Sequence, residues 1–125
     1  MPVEYQVFRD TPAVAHYAPY GLGDLVFTTF YFRVPNGLVT NSNRRRPVMH
    51  ANVTNKGGVT FRATLNGVLL VSRSLGRNSN VFVSEVFDWR TVVPDGAQPG
   101  DELAFRFSGD HNLRLSDAVI WYHVE

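Results

Sequence analysis

The sequence predicts an all-β protein, a single-domain antiparallel β-sandwich of about eight strands that spans residues 1–125. From residue 65 to residue 124, short strand-like segments alternate with an Asn-Gly turn, loops and a Pro- and Gly-containing loop, which leaves almost no room for a helix. With 44% apolar and 13% aromatic residues, the chain can bury a core without cross-links, and it contains no cysteine.

Eight segments are predicted to be strands. In chain order they are Val3–Arg9, Asp24–Val34, Val48–Asn55, Val59–Leu65, Val68–Ser72, Asn80–Phe87, Glu102–Ser108 and Leu113–Val124. The alternation is clearest in the seventh segment, where Leu103, Phe105 and Phe107 share one face and polar residues occupy most of the other. The fourth segment alternates in the same way. One wet face per strand is typical of antiparallel sandwiches.

The turns between these segments support the same architecture. Asn55–Gly58 and Asn66-Gly67 contain residues that tolerate positive φ and close hairpins easily. Pro94–Gly96 and Pro99–Asp101 interrupt one longer loop. Eight short strands joined in this way indicate a jelly roll or a similar sandwich.

The second segment, Asp24–Val34, is apolar on both faces. Leu25, Phe27 and Tyr31 alternate with a second apolar set that includes Phe32. This pattern is typical of a central strand covered on both sides. In a lone sandwich the second cover is either a loop, including the chain termini, or another subunit.

The last segment changes phase. Leu113 and Leu115 alternate out of step with the apolar residues that follow, and a β-bulge at Ser116-Asp117 would restore one inner face. Without the bulge, Asp117 would point inward and need backbone N–H donors, an arginine or a cation.

Three segments resemble galactose-binding-like jelly rolls of the carbohydrate-binding-module type. These are the closing strand Leu113–Tyr122, the hairpin Ala63–Gly67, and Phe87-Asp88 followed by a Gly-rich turn and the next strand. The resemblance covers about half of the chain. It implies glycan binding through loops at one end of the sandwich, and in some members a structural Ca²⁺. Only Glu4 and Asp10 are available in the N-terminal region to complete such a site around Asp117, and neither spacing is typical of one. We therefore expect no cofactor, with Ca²⁺ at Asp117 as the less favoured alternative.

Catalytic motifs are absent from the sequence. No Gly-x-Ser-x-Gly occurs, and the four histidines lack the i,i+2 or i,i+4 spacing of paired metal ligands. We therefore expect no enzyme activity, no catalytic residues and no metal site apart from the weak candidate Asp117.

Asp88-Trp89-Arg90 is the predicted ligand-binding turn. A sugar stacks its C–H face on an aromatic ring and exchanges hydrogen bonds through its hydroxyls, and these three residues supply a ring, a carboxylate and a guanidinium. Trp89 would be the stacking platform. In the alternative interpretation Trp89 folds back onto the core while Asp88 closes the turn.

A second aromatic cluster, His16–Gly21, contains His16, Tyr17 and Tyr20. It either forms part of the rim of the same ligand site or lies over the open side of the Asp24–Val34 strand.

Arg44, Arg45 and Arg46 follow one another in a polar loop. The loop is either a solvated tip or a contact for an acidic partner, a phosphate-bearing polymer or a neighbouring subunit. The net charge of +1 argues against a nucleic-acid binder, since such proteins usually carry a strong basic excess.

The start of the chain shows no signal peptide, and no apolar run is long enough to span a membrane. We therefore expect no membrane partner, and a location in the cytoplasm or in a virion. The favoured function is a lectin-like module that binds a glycan or another polar ligand. The alternative is a structural subunit of a virion, phage tail or filament that uses its faces and its arginine loop for contacts. Such a subunit would form homo-oligomers.

Overall fold

A computed structural model of the chain describes residues 3–9, 13–14, 26–55, 58–109 and 113–125. Its elements are β1 (Val3–Arg9), β2 (Ala13–Val14), β3 (Val26–Arg33), β4 (Val48–Asn55), β5 (Val59–Leu65), β6 (Val68–Leu75), β7 (Ser79–Val86), α1 (Trp89–Val92), β8 (Glu102–Gly109) and β9 (Leu113–His123). The strands β1, β4 and β5 have the bounds predicted from the sequence. β2 and α1 were not predicted.

The strands form two antiparallel sheets that pack face to face. One sheet has the order β1-β9-β4-β7, with β2 also paired to β9, and the other has the order β3-β8-β5-β6. Most connections pass from one sheet to the other, which is the connectivity of a jelly roll. The predicted fold class is confirmed.

The core lies between the sheets and is built from alternate residues of each strand. β4 buries every second residue along its length, and β8 buries Leu103, Phe105 and Phe107 as the alternation predicts. The ring centroids of Phe105 and Phe107 are 4.5 Å apart, and Phe61 of β5 stacks on Phe107 at 5.8 Å. The opposite face of β8 is wet, since Glu102 is exposed.

The Asn66-Gly67 turn closes the hairpin between β5 and β6, as predicted. Both residues have positive φ, 52° for Asn66 and 79° for Gly67. The Asn66 amide also donates a hydrogen bond to the Val92 carbonyl at 2.8 Å, which ties the hairpin to α1. Residues 56 and 57 of the other predicted turn lie outside the described residues.

β9 contains the predicted bulge. Its register against β4 shifts beside Asp117, whose φ is 52°. Leu115 and Ala118 on either side are both buried, whereas Asp117 is exposed. The extra residue therefore keeps the inner face of β9 apolar across the change of phase, and the carboxylate needs no buried partner.

β3 corrects one prediction, because it is an edge strand of its sheet and not a central one. Phe32 and Val34 are buried on its inner side, whereas Tyr31 on the outer side is 59% exposed. Whether a loop or another subunit covers the outer side of β3 stays a prediction, since residues 15–25 lie outside the described residues. Within the described part of the chain, no helix is long and apolar enough to cross a membrane.

Candidate functional site

The outer side of the β1-β9-β4-β7 sheet carries a surface that we call the outer apolar face. Its members are Val3, Tyr5, Val7, Val48, His50, Phe82, Ser84, Val86, Val119, Trp121 and His123. The strand register aligns Tyr5, Trp121, Val48 and Val86 in one row across all four strands. The next row, through His50, runs parallel to it.

The outer apolar face is open. Tyr5 is 55% exposed, Phe82 60% and Trp121 38%, so these three rings alone present on the order of 300 Å² to solvent. Val3, Val7 and Val86 are exposed as well. An apolar patch of this size is comparable with the largest patch on a typical monomeric protein, and such patches are often functional.

The rings on this face hold one another in place. The centroids of Tyr5 and Trp121 are 4.7 Å apart, and His50 stacks on Phe82 at 5.3 Å while its ring meets Trp121 edge-on at 6.4 Å. Since the rings are already ordered by these contacts, little side-chain entropy is left to lose when a partner covers them.

The face also contains few ionisable groups, and the exposed Asp117 of the β9 bulge lies at its margin. None of its members is Lys, Arg, Asp or Glu, and burial lowers the pKa of His50, which keeps this imidazole neutral at pH 7. The Nδ1 atoms of His50 and His123 are buried without a hydrogen-bond partner among the described residues. Such a surface suits contact with another apolar surface and not acid–base chemistry.

Sequence reasoning missed the outer apolar face, although β1 carries a signal for it. Val3, Tyr5 and Val7 alternate with Glu4 and Gln6, and the usual rule would turn the apolar set toward the core. The structure turns this set outward. Alternation gives the two faces of a strand but does not say which face the other sheet covers.

The predicted stacking platform at Trp89 was wrong. Trp89 is 1% exposed, and its ring lies 5.1 Å from Phe32 and 5.1 Å from Phe87. Asp88 caps α1 by accepting a hydrogen bond from the Arg90 backbone N–H at 2.9 Å. The alternative interpretation is correct: the indole packs into the core, where burying its large apolar surface is most favourable.

Arg90 joins this turn to the arginine loop. Its Nη2 lies 2.7 Å from the Asp88 Oδ2 and donates a second hydrogen bond to the Asn43 side-chain carbonyl. The hydrogen bond from the Arg90 side chain lowers the pKa of Asp88 to about 2, and the charge of Arg46 acts in the same direction.

The arginine loop itself faces solvent next to this turn. Arg44 and Arg46 are exposed and Arg45 is half-buried. Because Asp88 is already engaged by Arg90, the loop keeps most of its positive charge for an outside partner. Its role in partner contact stays a prediction.

The remaining predicted site residues are not brought together by the described structure. His16, Tyr17 and Tyr20 lie outside the described residues. Asp117, the weak Ca²⁺ candidate, is exposed on the β9 bulge. In the described ranges, no cluster of three His, Asp or Glu is placed to hold a metal ion.

A shallow groove of about 610 Å³ lies where the edge strands β1 and β3 meet. There the Gln6 amide donates to the Arg33 carbonyl at 2.7 Å and accepts from the Arg33 N–H at 3.1 Å. Gln6 therefore acts as a latch that joins the two sheets, much as a backbone peptide would. Besides Gln6, the groove is lined by Arg33, Val34, Pro35, Asn36, Pro99 and Gly100.

No protein-family model matches the chain, and no curated protein matches its sequence. Several solved structures share its fold, including the following two. A chain of the T13 IBDV viral particle matches with a TM-score of 0.53 at 10% identity over 99% of this chain. Dimeric latent PorU from Porphyromonas gingivalis matches with a TM-score of 0.53 at 11% identity over 98% of this chain. This chain spans 31% of the viral chain and 13% of PorU, and at these identities the likeness shows the fold alone.

Proposed function

We propose that this chain is a non-catalytic structural subunit whose copies associate through the outer apolar face. The observation that carries the proposal is an exposed sheet face with neighbouring aromatic and β-branched side chains and no Lys, Arg, Asp or Glu among its members. The centres of protein interfaces have this composition, enriched in aromatic residues and depleted of charge.

The energy available from covering this face is of the same order as the cost of association. At about 25 cal/mol per Å², covering the rings of Tyr5, Phe82 and Trp121 contributes roughly 7 kcal/mol before the cost of association. That cost is about 4–15 kcal/mol. Covering the exposed valines around the rings contributes further favourable free energy of burial.

Two further observations support an assembly role. One solved structure with this fold belongs to a viral particle, which agrees with a structural use of the sandwich. The arginine loop, with Arg44 and Arg46 exposed, offers a contact for an acidic surface of a neighbouring subunit, and such pairing contributes mainly to specificity and to the rate of association.

Carbohydrate binding is the second candidate, and the exposed pair of Tyr5 and Trp121 is the observation that favours it. With Trp89 buried, this pair would have to supply the stacking surface. A glycan array distinguishes the two functions: binding by the wild type that is lost in Trp121→Ala would support the lectin-like role.

Sedimentation velocity over a concentration series tests the structural role. We expect the mean mass of the wild type to rise with concentration, and the double variant Tyr5→Lys, Trp121→Lys to form fewer or smaller assemblies with an unchanged circular dichroism spectrum. The matched control is Tyr31→Lys with Leu69→Lys, which changes side chains of 59% and 54% exposure on the other sheet and should assemble as the wild type does. A wild type that stays monomeric up to millimolar concentration contradicts the proposal.

A further inference from the structure

β7 is an edge strand with a regular set of unpaired backbone groups. The Phe87 N–H donates to the Pro47 carbonyl at 3.0 Å, and the β4–β7 register continues from this pair without a shift. Hydrogen-bonded pairs alternate along an antiparallel ladder, so the odd-numbered residues of β7 bond to β4. The even-numbered residues turn their N–H and C=O groups to the open edge: Asn80, Phe82, Ser84 and Val86. Among the described residues, no strand or loop pairs with them.

β7 also lacks the features that usually protect an edge strand. It contains no Pro, Lys or Arg, and its one acid, Glu85, is half-buried. Two other described edge strands, β1 and β3, are joined by the Gln6 latch. The edge strand β6 carries the exposed Arg73 and a break in register against β5. β7 is therefore the edge most open to an added strand in the described part of the molecule.

We propose that β7 pairs antiparallel with β7 of a second copy around a two-fold axis, which extends the sheet across both chains. The edge is complementary to itself. A register that sets Asn80 against the partner's Val86 and Phe82 against the partner's Ser84 gives every one of the free N–H and C=O groups a partner. In this register Glu85 lies opposite the partner's Val81, so no like charges meet.

The second copy is favoured as the occupant because it also continues the outer apolar face. Phe82 and Val86 are exposed members of that face at its β7 margin. Pairing through β7 joins the two faces along this margin into one surface of twice the width. This inference rests on the proposed function and deepens it: β7 gives a dimer, and the doubled face then packs against another dimer.

Disulfide trapping tests the register, since the chain has no cysteine of its own. Residues directly opposite in a hydrogen-bonded pair have Cα atoms about 5.5 Å apart, within the range for a disulfide. The double variant Phe82→Cys, Ser84→Cys should therefore form a covalent dimer under mild oxidation. The matched control Asn80→Cys, Phe82→Cys places its thiols opposite Val86 and Ser84 of the partner. It should form at least five-fold less covalent dimer. Equal trapping of the two would overturn the proposed register.

Ser84→Pro tests the pairing itself. The Ser84 N–H points to the open edge and its side chain is exposed, so proline removes an edge donor without breaking the β4–β7 ladder. We expect at least a ten-fold weaker dimer at unchanged secondary structure. Asn80→Pro, which removes another edge donor and is not among the members of the outer apolar face, serves if the Ser84 variant misfolds, and Ser72→Lys on β6 is the control that should dimerise normally.

The outcomes separate this inference from the proposed function. A dimer that persists in Tyr5→Lys, Trp121→Lys but is lost in Ser84→Pro supports pairing through β7. Assembly that is unchanged in the proline variants of β7 but is lost in the Tyr5, Trp121 variant overturns the β7 dimer and leaves the outer apolar face as the contact. A monomeric wild type overturns both.

Discussion

The two tryptophans of this chain lie in opposite environments. Trp89 packs between Phe32 and Phe87 and is 1% exposed, whereas Trp121 lies beside Tyr5 on the outer apolar face and is 38% exposed. Their sequence contexts suggest the reverse, since Trp89 stands between Asp and Arg while Trp121 stands between Ile and Tyr. Charged neighbours therefore do not place a side chain at the surface. At the start of α1 the indole of Trp89 is buried while Arg90 is exposed, and in β9 Trp121 points away from its buried neighbours Ile120 and Tyr122.

The largest effect that this comparison predicts is on stability. Trp89→Ala removes the indole from the core and should lower the free energy of unfolding by about 3–5 kcal/mol. Trp121→Ala should cost about 1 kcal/mol or less while weakening self-association. Urea unfolding curves of the two variants measure the difference. Similar losses for both would show that the two environments are not distinct.

A smaller effect is expected from pH at the outer apolar face. Burial lowers the pKa of His50 below 6.5, so the unfolded chain takes up this proton more readily than the folded one. Above pH 6.5 the imidazole is neutral in both states. As the pH falls below 6.5, the free energy of unfolding should decrease.

Self-association should weaken over the same pH range, because a charged His50 would have to be covered together with Trp121 and Phe82. Thermal melts and sedimentation between pH 7.5 and about pH 5 measure both trends. His50→Gln is the control, and it should reduce the dependence of both stability and self-association on pH. A wild type whose assembly strengthens steadily as the pH falls through this range would contradict the expectation.

The smallest effect is expected at the loop end. Asp88→Asn keeps an acceptor for the cap of α1 but removes the ion pair with Arg90, and a surface ion pair contributes little. Tm at pH 7 should fall by about 1–3 °C. Since Arg90 lowers the pKa of Asp88 from 3.8 to about 2, the advantage of the wild type is present above pH 3.8 and is lost as the pH falls toward 2. A difference that persists unchanged at pH 2 would exclude the ion pair as its source.

The parts of the fold that were predicted correctly depend on local chemistry. The bounds of β4 and β5, the Asn66-Gly67 turn and the bulge at Asp117 follow from two-residue periodicity and from residues that accept positive φ. Such signals lie within a few residues of one another along the chain.

The edge position of β3 and the exposure of the outer apolar face were not predicted, because both depend on sheet order. Tyr5, Val48, Val86 and Trp121 form one row only because β9 and β4 lie between β1 and β7. Gln6 points toward the other sheet because Arg33, far along the chain, presents a free N–H and C=O at the edge of β3. The stacking role of Trp89 was wrong for the same reason, since Phe32, one of the two rings that hold Trp89 in the core, lies far away along the chain.

The Gln6 latch limits the number of copies that could join edge to edge. It occupies the flank of the molecule opposite β7 by tying β1 to β3. In a pair of copies joined at the proposed β7 contact, both outer ends of the long sheet would be β1 strands held by Gln6, and no β7 edge would remain free. Under this proposal, addition through β7 stops at two copies, and larger assemblies would have to grow through the outer apolar face.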